Sequence, residues 1–132
     1  MFSSAIFGTQ TIVFFGDSLT AGYHVGKPAS FPAVIQSKLK EAGLNWRVIN
    51  AGVSGDSTYS ALPRLSGVLD ADPDLVVVAL GANDILRRMP LNQTEKHLRE
   101  IIEVLQERQV GVVLAGIDIP FVFKLVYRQD IN

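Results

Sequence analysis

The chain has 132 residues, of which 48% are hydrophobic and 19% charged, a composition typical of one globular domain and not of a disordered chain. Its 12 basic and 13 acidic residues nearly cancel, so no charge excess favours binding to nucleic acid or to an anionic membrane. Cysteine is absent, which excludes disulfides, thiolate metal ligands and a cysteine nucleophile.

The N-terminus of the chain shows no signal peptide as it stands. No apolar run approaches the length of a membrane span. The first ten residues contain no basic residue and no long apolar stretch, so they do not resemble a signal peptide. A mature exported protein that had already lost its signal peptide would look the same. We therefore leave the compartment open between the cytoplasm and a periplasmic or secreted location.

The first clear element is the apolar run at residues 11–15, TIVFF. Its β-branched and aromatic residues predict a strand buried on both faces. The run ends at Gly16, which can turn freely, followed by Asp17 and Ser18, two residue types that favour turns and helix caps. A serine at this point would lie at the carboxyl end of a central strand, where open α/β sheets bind their ligands.

A helix and a second strand follow. Apolar residues at helical spacing predict a helix over residues 31–42, with Ser30 as its N-cap and Gly43 as its C-cap. Residues 47–50 read as a short strand. This strand leads into a loop over residues 51–57 whose glycines allow the backbone to approach a ligand closely.

The rest of the chain repeats the pattern of strand and helix. Residues 58–69 predict a weaker helix, because Pro63 must lie in its first turn or kink it. Residues 75–80, LVVVAL, predict a buried strand; residues 93–108 predict an amphipathic helix, and residues 110–115 a fourth strand. The alternation predicts a flavodoxin-like α/β fold, a three-layer α/β/α sandwich around a parallel sheet. No element is clear over residues 121–132.

Three loops follow the first three predicted strands, and they present Ser18, Gly52 and Asn83. Because the carboxyl ends of parallel strands meet at one edge of a sheet, we expect these residues to lie near one another. Acyl transfer needs a nucleophile and N–H groups that stabilise the negative charge on the attacked oxygen. Ser18 offers a hydroxyl and its own N–H. Gly52 offers an unobstructed backbone N–H, and Asn83 a side-chain amide.

The segments GDSL at residues 16–19, NAG at residues 50–52 and GAND at residues 81–84 occur in that order. Together they resemble the GDSL esterase/lipase family, the SGNH hydrolases, and in particular the bacterial thioesterase I, lysophospholipase and arylesterase type. The resemblance runs from about Thr11 to Pro120. GDSL alone would be a weak signal, whereas three motifs in order and in this structural context are a strong one.

This resemblance implies a serine hydrolase that acts on small esters, thioesters or lysophospholipids, without a metal or cofactor. It implies that Ser18 is the nucleophile and that Ser18, Gly52 and Asn83 donate to the oxyanion. The partner it implies is a small-molecule ester or acyl substrate, and the oligomeric state stays open. The G-x-S-x-G motif of other α/β hydrolases is absent, which fits this family.

One departure from the family pattern concerns the general base. The family places its histidine in a C-terminal Asp-x-x-His block, and neither histidine of this chain has an aspartate three residues earlier. We expect His97 to be solvated on the exposed side of its helix. His24, in a loop six residues after Ser18, is a weak substitute. We therefore expect a single domain over residues 1–132 whose C-terminal part is incomplete, with little hydrolytic activity as it stands.

The sequence also allows other interpretations of these serines and of the whole chain. Ser18 could only cap a helix, and Ser57, in a second Gly-Asp-Ser at residues 55–57, is interpreted as an N-cap. The whole chain could be a non-catalytic flavodoxin-like module that binds a small anion or a carbohydrate at the same edge of the sheet. A glycosidase using Asp17 and Asp84 is a more distant alternative, since nothing in the sequence sets the separation of the two carboxylates.

Overall fold

The computed structural model describes residues 9–116, where four strands form one parallel sheet. The strands are β1 (Gln10–Gly16), β2 (Trp46–Gly52), β3 (Leu75–Ala79) and β4 (Gly111–Leu114). Their order across the sheet is β2-β1-β3-β4, and every neighbouring pair is parallel. The predicted parallel sheet is confirmed. The expectations for residues 1–8 and 121–132 lie outside the described residues.

Helices of very different lengths connect the strands. They are α1 (Ser18–Ala21), α2 (Phe31–Glu41), α3 (Thr58–Ala61), α4 (Leu65–Asp70), α5 (Ala82–Leu86) and α6 (Leu91–Glu107), with 3₁₀ turns at Lys27–Ala29 and Leu62–Arg64. Within residues 9–116, no helix combines the length and the apolar character that crossing a bilayer requires.

Helix α2 ends as its sequence predicts. Gly43 adopts a positive φ of 73°, which a residue without a side chain does at little cost. Its N–H donates to the carbonyl of Lys40 at 3.0 Å, and the N–H of Leu44 donates to that of Leu39 at 2.9 Å. These two bonds satisfy carbonyls that the helix end would otherwise leave open. At the other end, Ser30 occupies the N-cap position, but its hydroxyl donates to the carbonyl of Lys27 and caps nothing.

Two predicted elements need correction. The helix expected over residues 58–69 is divided into α3, a 3₁₀ turn that contains Pro63, and α4. Proline lacks the N–H that would continue the helical hydrogen bonds, so the chain tightens at this point. Strand β2 is longer than expected and ends at Gly52, because pairing with β1 extends through the NAG segment.

The core lies on one face of the sheet. Val13, Phe15, Val76 and Val78 are at most 1% exposed and pack under apolar residues of the helices. Those residues come from α3, α4 and α6 and include Ala61, Leu65, Val68, Ile101 and Leu105. Successive side chains of a strand point to opposite faces, so Phe14 points away from this core.

The opposite face of the sheet carries α2. The ring of Phe14 meets that of Phe31 edge-to-face, with 5.3 Å between the ring centroids. Gln36 of the same helix binds the outer edge of β2, since its side chain accepts from the N–H of Val48 and donates to the carbonyl of Trp46, both at 2.9 Å. Helices therefore cover both faces of the sheet, and the predicted three-layer α/β/α arrangement is confirmed.

Candidate active site

The three predicted site loops begin at one edge of the sheet. In the register of the strands, Gly16 of β1 lies beside Gly52 of β2 on one side and beside Ala79 of β3 on the other. Ser18 follows Gly16 by two residues, and Asn83 follows Ala79 by four. The parallel pairing thus places all three predicted site residues at the carboxyl edge of the sheet, on three neighbouring strands.

Ser18 is the first residue of α1 and is partly exposed. The turn that presents it is held by Asp17, the N-cap, whose Oδ1 accepts from the N–H of Leu19 at 3.2 Å. The helix ends after one turn at Gly22, with φ of 92°. The hydroxyl of Ser18 makes no hydrogen bond to another side chain within residues 9–116, whereas the hydroxyl of Ser57 makes one. A short helix between an aspartate cap and a glycine stop therefore leaves this hydroxyl available.

The carboxyl of Asp17 is almost fully buried, at 2% exposure. Burial raises its pKa above the ordinary value, and hydrogen bonds from the backbone N–H groups of Leu19 and of Asp17 itself oppose that rise. The negative charges of Asp56 and Asp84 raise the pKa further. Asp17, Asp56 and Asp84 follow three different strands, so their mutual repulsion is a consequence of the convergence of the three loops.

Gly52 lies against α1. A Cβ built on Gly52 would fall 2.7 Å from the carbonyl carbon of Thr20 and 2.8 Å from the Cα of Ala21, so only glycine fits here. Its N–H donates to Oδ1 of Asn50 at 2.9 Å. The amide nitrogen of Asn50 in turn donates to the carbonyl of Thr20 at 2.8 Å. The end of β2 is thereby fastened to the helix that begins with Ser18.

Asn83 lies in the first turn of α5, which begins three residues after the end of β3. Its Nδ2 donates to the backbone carbonyl of Asp56 at 2.9 Å, which joins the third loop to the second. The amide has a second N–H, which makes no hydrogen bond within residues 9–116. This arrangement holds the amide in place and leaves one donor for a ligand.

Asp84, the next residue, is a buried anchor. Its Oδ1 accepts from the N–H of Thr58 at 2.8 Å, and its Oδ2 accepts from the hydroxyls of Thr58 at 2.6 Å and Thr94 at 2.9 Å. A carboxylate so committed, at 2% exposure, is poorly placed to exchange protons with a substrate. Asp17 is equally buried and serves as a cap, so the structure disfavours the two-carboxylate glycosidase alternative.

Arg64 joins the ends of β1 and β2 from the 3₁₀ turn. Its guanidinium donates to the carbonyls of Gly16 at 3.2 Å and Ala51 at 3.0 Å. It also forms an ion pair with Asp56 at 2.7 Å and lies 4.8 Å above the ring of Phe15. One side chain therefore contacts both strand ends and the loop that receives Asn83.

The sequence of this chain matches a known family over most of its length. Residues 14–130 match the GDSL-like lipase/acylhydrolase family. The chain belongs to this family. Membership confirms the resemblance that the GDSL, NAG and GAND segments indicated.

Individual relatives agree with the GDSL family assignment. The chain is 37% identical over 119 residues to an arylesterase of Vibrio mimicus, covering 89% of this chain and 60% of that protein. It is 36% identical over 121 residues to the thioesterase 1/protease 1/lysophospholipase L1 of Escherichia coli (strain K12), covering 91% of this chain and 57% of that protein. The chain thus spans less than two thirds of the length of both curated relatives.

A solved structure agrees on the fold of this GDSL-family chain. The SGNH-hydrolase family esterase AlinE4 superposes with a TM-score of 0.84 at 40% sequence identity, over 92% of this chain and 66% of that one. The flavodoxin-like architecture expected for an SGNH hydrolase is therefore confirmed.

Neither histidine of this GDSL-family chain forms a hydrogen bond with the Ser18 side chain within residues 9–116. His24 is exposed, has a positive φ of 70° and lies against the ring of Tyr23. The expectation that His97 is solvated was wrong, because His97 is only 8% exposed. Its Nδ1 lies 3.2 Å from the hydroxyl of Thr58. Each histidine thus contacts other groups, His24 the ring of Tyr23 and His97 the side chains of Thr58 and Tyr59.

Sequence reasoning missed Thr58 and Arg64 and misplaced His97. His97 precedes Ile101 by four residues, a spacing that puts both on one face of a helix, so the helical period offered a signal. No local pattern pointed to Thr58 or Arg64, whose partners are distant in sequence. As for metals, no three acidic or histidine side chains gather around a common point in residues 9–116.

Proposed function

We propose that this chain carries the nucleophile and the oxyanion-binding groups of a serine esterase. The substrates are carboxylic esters, thioesters or lysophospholipids, in keeping with the names of the arylesterase and thioesterase relatives. The observation that carries the proposal is the alignment of Gly16, Gly52 and Ala79, which brings a partly exposed serine to the same edge as two N–H donors.

In the proposed reaction, Oγ of Ser18 bonds to the acyl carbon while its proton passes through a general base to the departing alcohol or thiol. The C–O or C–S bond of the substrate breaks and an acyl-enzyme remains. Water then attacks this ester and gives a proton to the base, which passes it to Oγ of Ser18 as the C–Oγ bond breaks and the carboxylic acid is released. No metal or cofactor is required by these steps.

Three donors face the developing negative charge in this proposal: the N–H groups of Ser18 and Gly52 and the second amide N–H of Asn83. The N–H of Gly52 already donates to Oδ1 of Asn50, which holds it in position. A charged oxygen accepts roughly twice as strongly as a neutral amide oxygen. We therefore expect the oxyanion to draw this N–H away from Asn50 as the charge develops.

The proposed reaction also needs a general base. The chain contains two histidines, and the structure engages both elsewhere. We propose that residues 1–132 form one domain that lacks its C-terminal part, and that the base is a histidine outside these residues. Without it the serine hydroxyl is a poor nucleophile, so the 132-residue chain should turn over esters slowly.

A phosphonate ester with a p-nitrophenolate leaving group tests the nucleophile, because its adduct is stable and can be located by mass spectrometry. We expect the 132-residue chain to be modified slowly at Ser18, and faster when imidazole is added as an external base. The variant Ser18→Ala should not be modified. Ser57 is the matched control, since it follows Gly-Asp in the same way but its hydroxyl is bound to Ser60. Modification of Ser57, or none with imidazole present, would contradict the proposal.

A further inference from the structure

His97 belongs to a buried hydrogen-bonded chain that runs toward the proposed oxyanion site. Its Nδ1 lies 3.2 Å from Oγ1 of Thr58, which in turn lies 2.6 Å from Oδ2 of Asp84. All three side chains are less than 9% exposed, so water does not compete freely for these bonds. The ring of His97 also packs on that of Tyr59, with 5.3 Å between centroids.

The number of protons available to His97, Thr58 and Asp84 determines which group donates in each of these hydrogen bonds. An ionised carboxylate only accepts hydrogen bonds, and a threonine hydroxyl has one proton to give. The 2.6 Å separation from Asp84 shows that Thr58 gives its proton to the carboxylate. The Thr58 oxygen must then accept from His97. A neutral His97 therefore carries its proton on Nδ1, because two lone pairs would otherwise face each other at 3.2 Å.

The chain of bonds matters for Asn83 because α5 has only five residues. A helix this short is not stable by itself and depends on its contacts. Asp84 supplies several of these contacts, since it binds the N–H and hydroxyl of Thr58 at the start of α3 and the hydroxyl of Thr94 on α6. Asn83 directly precedes Asp84, so this anchor helps to set its backbone position, and the Asp56 carbonyl receives its amide.

We propose that His97 is a positioning residue: as the Nδ1–H tautomer it orients the Thr58 hydroxyl toward Asp84, and this bonded chain holds the Asn83 amide in place. The inference deepens the proposed function, on which the catalytic meaning of Asn83 rests. The relative placement of His97, Thr58, Asp84 and Asn83 can be tested without any enzyme activity.

The tautomer can be measured on the 132-residue chain by ¹⁵N NMR of the imidazole, at a pH well above the ordinary histidine pKa of about 6.5. We expect His97 to show a protonated Nδ1 and a bare Nε2, and exposed His24 to show the tautomer mixture of free imidazole. A bare Nδ1 at His97 would overturn the proposal. A purely space-filling role for the ring would not select a tautomer.

Matched variants test whether the bond to Thr58 positions Asn83. The amide N–H of His97→Asn can replace Nδ1–H, whereas His97→Leu fills the space without a donor. Similarly, Thr58→Ser keeps the hydroxyl and Thr58→Val removes it. We expect the side-chain amide resonances of Asn83 to shift in the leucine and valine variants and to stay near their original positions in the asparagine and serine variants. Unmoved resonances in all four variants would overturn the inference.

Phosphonylation rates then connect the inference to the chemistry. We expect His97→Leu to slow the modification of Ser18 roughly 10-fold, because a displaced donor loses part of the 10²–10³-fold effect of an oxyanion donor. His97→Asn should restore most of the rate. If the unaltered chain is not modified at Ser18, the proposed function fails, while the two NMR measurements still decide whether His97 positions Asn83.

Discussion

At the scale of single residues, the site depends on two positions that cannot carry a side chain. A Cβ on Gly16 would meet the Thr20 side chain and fall 3.0 Å from the carbonyl oxygen of Ala79. One on Gly52 would meet the backbone of Thr20 and Ala21. Both glycines therefore let α1 settle directly onto the strand ends, and this contact sets where Ser18 stands relative to the donor of Gly52.

The substitution Gly52→Ala tests this close contact. Because the obstructing atoms are backbone and not the end of a flexible side chain, we expect a loss of roughly 1–3 kcal/mol in the free energy of unfolding. Urea denaturation followed by circular dichroism measures it. Gly67→Ala is the control, because a Cβ at Gly67 in helix α4 meets nothing within 4 Å and alanine should add roughly 0.5–1 kcal/mol. Equal effects at both sites would contradict the contact.

At the scale of elements, the broken helix between β2 and β3 positions a cation. Pro63 lies in the 3₁₀ turn that carries Arg64. The guanidinium of Arg64 reaches the carbonyls of Gly16 and Ala51 at the ends of two strands. Arg64 donates to a carbonyl at each of these two strand ends, and that of Gly16 also accepts from the N–H of Val53 at 3.1 Å. Arg64 pairs with Asp56 as well, so the turn that interrupts the helix links both strand ends to the following loop.

Replacing Arg64 with alanine should lower the free energy of unfolding by about 2–3 kcal/mol, because a mostly buried carboxylate and two carbonyls lose charged donors. Lysine at this position keeps the charge without the forked geometry and should recover only part of the loss. Arg99→Ala is the control in the same urea titrations. Arg99 also pairs with a carboxylate, that of Glu95, but both side chains are about two thirds exposed, so the change should stay within about 0.5 kcal/mol. Similar losses for the two arginines would contradict the interpretation.

At the scale of the whole molecule, local sequence patterns predict much of the fold but do not predict contacts between residues far apart in sequence. The strands were predictable because apolar runs end in turn residues. The placement of Ser18, Gly52 and Asn83 at one edge of the sheet was predictable because each follows such a run within a recognisable motif. Arg64 lies 48 residues from Gly16, and Thr58 lies 26 from Asp84. No local pattern joins such pairs, because their contact exists only after the strands have paired. The burial of His97 had a local signal in its four-residue spacing from Ile101, but its bond to Thr58 on another helix had none.

The two faces of the sheet differ in how well they are covered, and adjacent residues of β3 make the difference measurable. Val76 is fully buried beneath α6, whereas Val77, on the opposite face, is only partly buried, and Val113 beside it is 47% exposed.

Val76 and Val77 share the backbone environment of one strand, so replacing either with alanine loses the same strand propensity. Val76→Ala should therefore lose roughly 2–4 kcal/mol of unfolding free energy through the cavity it leaves. Val77→Ala should lose about 1 kcal/mol or less, since little apolar area returns to water. Urea titrations of both variants give the comparison, and equal losses would show that the two faces are equally packed.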